Sequence, residues 1–219
     1  MYKRQTELDN FETCSFKWDL FHHKNLVPKT TKSYLESGSL LHYLLELYYK
    51  KKIVNHPTST DLEKMIELAR IESLKFSLDL EEIGEIIFQF REYCRHYEDD
   101  NIIPIYIEQP FMFTLHEDED MKVIITGKPD LVFRYPNNST LCVMDHKSIR
   151  RDATLSALRN QFLLYTTALE TDTFVVNKIG FQKTKKLNER MVRVPYVYNK
   201  DILEEWKQNV IGRAREMIL

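Results

Sequence analysis

The stretch "GKPDLVFRYPNNSTLCVMDHKS", from Gly127 to Ser148, places two acidic residues in apolar runs on either side of a short polar turn. The turn "PNNS" predicts that the two runs pair as an antiparallel hairpin. If this turn centres between Asn137 and Asn138, Asp130 and Asp145 lie opposite each other across the strands. Because the turn is expected to set the register, one residue inserted between the two asparagines is expected to abolish the site described next.

Two opposed carboxylates repel each other, since the Cβ atoms of opposed residues lie about 4.5–5.5 Å apart. A shared proton would relieve the repulsion, and so would a divalent cation, which prefers carboxylate oxygens. Lys147 lies on the same strand face as Asp145 because side chains alternate along a strand. A metal ion with an ammonium group beside it suits phosphoryl transfer. The alternative is a surface hairpin with a salt bridge between Asp130 and Lys147.

The composition is that of one ordinary globular domain. The chain has 219 residues, of which 43% are hydrophobic and 29% charged, with five glycines and seven prolines. We therefore expect a single domain over residues 1–219. No run of about 18 apolar residues and no signal-peptide pattern is present, so we expect no membrane partner and a cytoplasmic location, or a host-cell interior for a phage protein. The three cysteines, without close spacing, are expected to be reduced thiols.

The net charge of −2 hides an asymmetry along the chain. Residues 61–120 contain 17 acidic and 5 basic residues, whereas residues 147–193 contain 10 basic and 4 acidic residues. The basic segment begins at the hairpin, so it predicts a phosphate-binding surface, although a solvated face would have the same composition. The candidate DNA-binding residues are Arg150, Arg151, Arg159, Lys183, Lys185 and Lys186.

The periodicity predicts a helical region over residues 1–100 and a sheet over residues 101–219. One helix is expected over "LDNFETCSFKWDLF", and a second over "SGSLLHYLLELYYKKK" with Ser37 or Ser39 as its N-cap. Two more amphipathic helices follow. The runs "IIPIYIEQPFMFTL" and "MKVIITGKPDLVFRY" predict a hairpin across the turn "HEDED". Next come a strand at "TLCVMDHKS", the helix "TLSALRNQFLLYTTALE", two strands and a closing helix.

The segments "KPD" and "DHK" resemble the signature of the PD-(D/E)XK nuclease superfamily. More narrowly, the chain resembles the RecB-type exonuclease branch, which includes CRISPR-associated and phage recombination exonucleases. "SGSLLHYLLE" is similar to the histidine motif of this branch, and "IEQPF" to a strand motif with a glutamate. "QFLLY" is similar to its Gln-x-x-x-Tyr motif. The resemblance covers roughly residues 8–198 and implies an α/β fold with a restriction-endonuclease-like core, in which a central mixed sheet is flanked by helices.

The resemblance also implies residue roles and a reaction. Mg²⁺ or Mn²⁺ is expected to be held by carboxylates, an imidazole and one backbone carbonyl, and the imidazole would favour Mn²⁺ somewhat. The expected activity is DNA hydrolysis, and an exonuclease is the leading hypothesis. It would act in recombination, repair or phage DNA processing, with a protein partner in recombination. An endonuclease, or a silent member that binds DNA or protein, is the alternative. The implied metal ligands are His42, Asp130, Asp145, the carbonyl of His146 and, more weakly, Glu108; the implied catalytic residues are Asp130, Asp145, Lys147, Gln161 and Tyr165.

Some members of this branch carry an iron–sulfur cluster ligated by one cysteine near the N-terminus and three near the C-terminus. Cys14 stands where the first of these would be, but no cysteine follows Cys142. The sequence therefore predicts no cluster, and a buried thiol at Cys14.

Overall fold

The computed structural model describes residues 2–26, 33–150, 159–182 and 184–217. Helices pack on both faces of a five-stranded sheet, and a smaller three-stranded sheet lies beside it. The helices are α1 Gln5–Thr13, α2 Ser15–Trp18, α3 Ser33–Val54, α4 Ser59–Ser73, α5 Leu80–His96, α6 Asn160–Ala168, α7 Leu187–Arg190 and α8 Lys200–Glu216, with a π-helical turn at Asp19–His23. The strands are β1 Tyr2–Arg4, β2 Ile103–Ile107, β3 Phe111–Glu117, β4 Lys122–Gly127, β5 Leu131–Arg134, β6 Cys142–Ile149, β7 Thr173–Gly180 and β8 Met191–Val197.

The central sheet has the strand order β2-β5-β6-β7-β8. β6 and β7 pair in parallel, while the other neighbours pair antiparallel, so the sheet is mixed. The parallel pair is connected through α6, as a crossover between parallel strands requires. The second sheet has the order β1-β4-β3, and its β3–β4 hairpin contains the predicted turn "HEDED".

Strand alternation divides the buried residues of the central sheet between two cores. On β6, Cys142 and Met144 pack with α3, α4 and α5, whereas Val143 packs with α6 and α8. Asp145 and Lys147 have the same parity as Val143, so they belong on the face that carries α6. His146 belongs on the opposite face, below the helical layer of the N-terminal half. The strand that carries the acidic motif is therefore covered on both sides.

The helices α4 and α5 begin at residues whose side chains cap them. Thr58 caps α4 and Asp79 caps α5, and each forms a capping box with the acidic residue three positions later. Such boxes satisfy backbone N–H groups that a helix start leaves without partners. The buried side of α5 presents Ile83, Ile86 and Phe90 to α3. These helices therefore form a packed layer over the sheet, as their periodicity predicts.

The structure differs from the sequence-based prediction at several boundaries. The two long apolar runs at residues 102–115 and 121–135 each contain two strands. The first run crosses from one sheet to the other near Glu108, and the second crosses near Lys128. The first predicted helix is divided into α1, α2 and the π-helical turn. Ser37 and Ser39 are not N-caps, since α3 already includes Ser33.

Cys14 is exposed rather than buried, because its thiol caps α2 and accepts a hydrogen bond from the Lys17 backbone N–H. Within the described ranges, no helix combines the length and the apolar character that crossing a membrane requires.

Candidate active site

The two acidic residues of the opening stretch meet at one end of the β5–β6 pair. The observed register pairs Leu131 with Met144 and Val132 with Val143, which confirms the predicted hairpin register. Continued by one residue, it places Asp130 opposite Asp145. The backbone N–H of His146 donates a hydrogen bond to Asp130 Oδ2 at 2.6 Å. Asp130 is thus held against the backbone that follows Asp145.

His42 comes to this point from α3. Its Nε2 lies 2.8 Å from the carbonyl oxygen of His146, and its Nδ1 lies 3.5 Å from Asp130 Oδ2. The small residues Gly38 and Ser39, one turn earlier on the same helix, line an open cleft beside it. A histidine in an apolar helix is therefore placed beside the carboxylates. The carbonyl that it contacts belongs to His146, 104 positions further along the chain.

Glu108 completes the acidic cluster from the end of β2. Its backbone N–H donates to the carbonyl of Asp130 at 3.1 Å, and its Oε1 lies 4.0 Å from His42 Nδ1. Its backbone has a φ of 49°, in the left-handed region that a non-glycine residue rarely adopts. Strain of this kind often lies at functional sites, where surrounding contacts hold it.

Lys147 and Gln161 surround Asp145 on the α6 face of the sheet. Lys147 Nζ lies 2.7 Å from Asp145 Oδ2, and Gln161 Nε2 donates to Asp145 Oδ1 at 2.7 Å. Lys147 Nζ also donates to Gln161 Oε1 at 3.3 Å. The predicted alternative pair of Asp130 with Lys147 is not the pair that the structure shows, because Lys147 contacts the carboxylate on its own strand. The glutamine of "QFLLY" orients both groups.

Tyr165 lies one turn after Gln161 on the same helical face. Its hydroxyl donates to the Lys128 carbonyl at 3.1 Å and accepts from the Lys128 backbone N–H at 3.4 Å. The side chain is 5% exposed, and its ring packs so closely on Gly127 that a Cβ there would come within 2.5 Å of Tyr165 Cε1. Tyr165 therefore fixes the backbone that leads into Asp130, and its hydroxyl faces that backbone.

Burial and neighbouring charges shift the pKa values within the cluster. Burial, reinforced by the Asp130 charge, raises the pKa of Asp145 to about 6, against the opposing effect of Lys147. Burial would raise the pKa of Asp130 too, but the hydrogen bond and charge of His42 outweigh it and lower that pKa to about 2. For His42, burial lowers the pKa, yet the carboxylates led by Asp130 raise it to about 9. The cluster therefore attracts positive charge.

The side chain of His146 is held on the other face of the sheet. Burial lowers its pKa to about 3, so the ring is neutral. Its Nδ1 accepts a hydrogen bond from Asn177 Nδ2 at 2.8 Å, and the ring stacks on Tyr49 with a centroid distance of 5.7 Å. Asn177 also donates to the Tyr93 hydroxyl, and Arg193 Nη2 donates to both tyrosine hydroxyls and to Asp100. This buried network fixes the peptide whose carbonyl faces His42.

The predicted DNA-binding residues have different positions. Arg150 lies 3.3 Å from Glu85, donates to Ser37 and lies over the Phe181 ring. Arg159 and Lys186 are exposed, and Lys185 is partly exposed. Arg151 and Lys183 lie outside the described residues. A second lysine besides Lys147 contacts the acidic cluster: Lys128, which sequence reasoning passed over although it stands inside "GKPD".

The cluster fits a divalent cation. One ligand atom from each of His42, Glu108 and Asp130 lies within 4.8 Å of the others. Asp145 Oδ2 is buried, and its contact is the Lys147 ammonium at 2.7 Å. Carboxylate oxygens and an imidazole form a donor set suited to Mn²⁺ and, through the oxygens, to Mg²⁺. A cleft of about 650 Å³ reaches the cluster from solvent between α3, α4 and Lys128.

A mixed five-stranded sheet flanked by helices, with carboxylates and a lysine at the ends of adjacent strands, defines a restriction-endonuclease-like fold. The chain belongs to the PD-(D/E)XK nuclease superfamily, whose sequence pattern it matches over residues 5–218. The nucleases of this superfamily generally depend on divalent metal ions and act on nucleic acid.

Solved structures resemble this chain at low sequence identity. A protein from Eubacterium rectale named "Putative exonuclease" is 11% identical with a TM-score of 0.58, over 99% of this chain and 80% of that one. The crystal structure of SSO0001 is 13% identical with a TM-score of 0.38, over 92% of this chain and 86% of that one. The first likeness supports the fold, and the second is too weak to carry an argument. No curated protein matches the sequence.

Proposed function

We propose that this chain is a metal-dependent deoxyribonuclease that removes nucleotides from DNA ends. The observation that carries the proposal is the convergence of His42, from the N-terminal helical region, on the carbonyl of His146 and on Asp130. This helix-borne histidine distinguishes the RecB-type exonuclease arrangement from a core that has the strand residues alone. The name of the Eubacterium rectale protein agrees with the proposal.

The proposed ligands of Mg²⁺ or Mn²⁺ are His42, Asp130, Asp145, the His146 carbonyl and Glu108. A bound ion there would lower the pKa of a coordinated water and neutralise charge on the phosphate. Since a histidine ligand must be neutral, His42 would give up the proton that its neighbouring carboxylates favour. Glu108 belongs in the set because its oxygen lies with those of the other ligands.

Lys147 is proposed to stabilise negative charge on the attacking water and the phosphate. Its ammonium already lies beside Asp145, and the Gln161 side chain contacts both the Lys147 ammonium and the Asp145 carboxylate. An ammonium in a fixed position requires little reorganisation when charge develops during the reaction. Gln161 is therefore a positioning residue for Lys147 and Asp145, and Tyr165 is one for Asp130.

Degradation of end-labelled DNA tests the proposal. Linear single-stranded and duplex substrates are incubated with Mg²⁺, Mn²⁺ or a chelator, and the variants Asp145→Ala and Lys147→Ala are compared with the wild type. We expect metal-dependent release of nucleotides from ends, with a loss of at least about a hundredfold in each variant. Unchanged nuclease activity in both variants would contradict the proposed mechanism.

Covalently closed circular DNA separates the exonuclease from the endonuclease alternative, since a closed circle has no end. Robust cutting of circles would establish an endonuclease. The silent member that binds DNA or protein would give no metal-dependent cleavage of any substrate. With the exonuclease we propose cytoplasmic action in recombination, repair or phage DNA processing, together with a recombination protein as partner.

A further inference from the structure

We propose that Lys128 is an internal counter-ion of the metal site, paired with Glu108 when no metal is bound and moved to a substrate phosphate when a metal ion takes Glu108. This inference rests on the proposed function, because it assigns Lys128 a role in regulating that same site.

The pairing with Glu108 is direct. Lys128 Nζ contacts Glu108 Oε2. Glu108 is 12% exposed in its side chain, so the lysine compensates a largely buried carboxylate. A divalent ion at Glu108 would bring two positive charges to the place that Lys128 neutralises. The two cations therefore compete for one carboxylate.

Lys128 is built as an arm with a fixed base. Its backbone N–H and carbonyl are both bonded to the Tyr165 hydroxyl, and Pro129 follows. Its side chain is 56% exposed, compared with 28% for Lys147. The ammonium can therefore move through the cleft mouth without any movement of the backbone that carries Asp130.

The cleft gives the displaced ammonium a partner. Its described lining includes the acidic residues Glu46, Glu72, Glu108 and Asp130, whereas Lys128 is the one lysine or arginine in that described lining. A phosphodiester that enters beside these carboxylates meets repulsion unless a cation is present. Lys128 lies at the rim of this cleft, in reach of a phosphate that approaches Asp130. If the pair of Lys128 with Glu108 were only a solvated ion pair, breaking it would change neither metal binding nor DNA binding.

Metal titration without DNA tests the first half. Mn²⁺ binding to the full chain is measured by calorimetry for the wild type, Lys128→Gln and the control Lys122→Gln, which breaks an ion pair with Glu117 at a similar exposure. We expect Lys128→Gln to bind Mn²⁺ about three- to tenfold more tightly, because a competing cation is gone, and the control to match the wild type. Equal or weaker binding in Lys128→Gln overturns the counter-ion role.

A double-mutant cycle shows whether the competition passes through Glu108. In a Glu108→Gln background, Lys128→Gln should change the Mn²⁺ affinity by less than about twofold. If the full increase remains there, Lys128 acts on the site as a general charge, and the proposed exchange of partners is wrong.

Binding of a phosphorothioate-protected, labelled oligonucleotide in Mn²⁺ tests the second half. Fluorescence anisotropy should show about fivefold weaker binding for Lys128→Gln, recovery in Lys128→Arg, and no change for Lys122→Gln. Unaltered binding in Lys128→Gln rules out the phosphate contact. Wild-type protein that shows these metal and DNA effects yet cleaves no DNA would overturn the proposed nuclease activity and leave the counter-ion inference standing.

Discussion

At the scale of single residues, the site concentrates negative charge where water is scarce. Asp145 is buried and the Asp130 side chain is 11% exposed, and each has a different cation beside it: His42 for Asp130 and Lys147 for Asp145. Burial and the Asp130 charge together raise the pKa of Asp145 to about 6. The ionised Asp145 therefore costs stability at neutral pH, which is a feature of a binding site more than of a structural pair.

Asp145→Asn should separate metal binding from folding. We expect the metal-free variant to be at least as stable as the wild type, because a disfavoured buried charge is removed. Saturating Mn²⁺, at about a hundred times the dissociation constant, should stabilise the wild type by about 2.7 kcal/mol and the variant by almost nothing. Thermal unfolding with metal and with chelator measures both effects. Asp99→Asn, at an exposed position, is the control, and equal metal-induced stabilisation of Asp145→Asn would contradict the ligand assignment.

Tyr165→Phe should weaken the site through the backbone. The variant loses the hydrogen bonds to Lys128, so we expect a loss of about 1 kcal/mol in unfolding free energy and a lower metal affinity. Tyr48→Phe is a matched control, since the Tyr48 hydroxyl is buried and has no hydrogen-bond partner among the described residues. Denaturant unfolding should show the control unchanged or more stable. Equal metal affinity in wild type and Tyr165→Phe would remove the positioning role.

At the scale of helices and strands, the position of Asp145 depends on β6. This strand pairs with β7 over eight residues, from Cys142 with Thr173 to Ile149 with Gly180, whereas the hairpin with β5 has three pairs. The register is therefore held mainly by the neighbour on the other side. We therefore expect the pairing with β7, more than the turn at residues 135–141, to set the position of Asp145, in contrast to the expectation from the sequence.

One residue inserted between Asn137 and Asn138 should accordingly be tolerated. We expect a loss of less than about 1 kcal/mol in unfolding free energy and an unchanged metal affinity, because loop length costs little and β7 holds β6 in place. The contrasting insertion, between Met144 and Asp145, should abolish metal binding, since a shift of one residue reverses the strand faces. Metal titration of both variants decides the question. Loss of binding in the turn insertion would restore the turn as the determinant.

The packing between α6 and the end of β4 requires a glycine. In Gly127→Ala the new Cβ would lie 2.5 Å from Tyr165 Cε1 and 2.8 Å from Phe111 Cζ. We expect a loss of about 1–3 kcal/mol and weaker metal binding, because the ring must move away from the turn that leads to Asp130. Gly84→Ala in α5 meets nothing within 4 Å and should stabilise the chain by about 0.5–1 kcal/mol. Denaturant unfolding of the two variants checks this contrast. A change of the same sign and size in the free energy of unfolding of both variants would refute it.

At the scale of the whole molecule, a buried polar network connects the outer strand to the site. Arg193 on β8 bonds to Tyr49 of α3, Tyr93 of α5 and Asp100, and the tyrosines continue through Asn177 to His146. The network lies between the sheet and the helical layer, so it holds the layer that carries His42 against the strand that carries Asp145. Arg193 ends the basic segment, residues 147–193, that predicts a phosphate-binding surface, but the structure buries most of its side chain.

Arg193→Met should destabilise the chain by about 3 kcal/mol, because Asp100 would lose a buried partner and the tyrosine hydroxyls would lose a donor. Lys52, 3.7 Å from Asp100, limits the loss. Arg95→Met breaks an exposed pair with Glu92 and should cost less than about 1 kcal/mol. Chemical denaturation compares the two. If both variants lose the same small amount, the network does not join the layers as described.

The amino-acid sequence by itself determined the kinds of residue that the site needs and the local order around them. The apolar runs, the alternation along β6 and the length of the turn were enough to predict that Asp130 opposes Asp145, and this register is confirmed. The mixed sheet flanked by helices was also predicted from the resemblance of the motifs. These features are local, or they depend on periodicities that the chain displays directly.

Only the tertiary structure decided which distant groups meet. The division of each long apolar run between two sheets depends on strand partners, because a continuous run of strand-forming residues does not show where the chain changes sheets. The contacts of Lys128 with Glu108, of Tyr165 with Lys128 and of Arg193 with Asp100 join residues from separate helices, strands and loops. Such contacts arise from packing in three dimensions, and no periodicity in the chain encodes them.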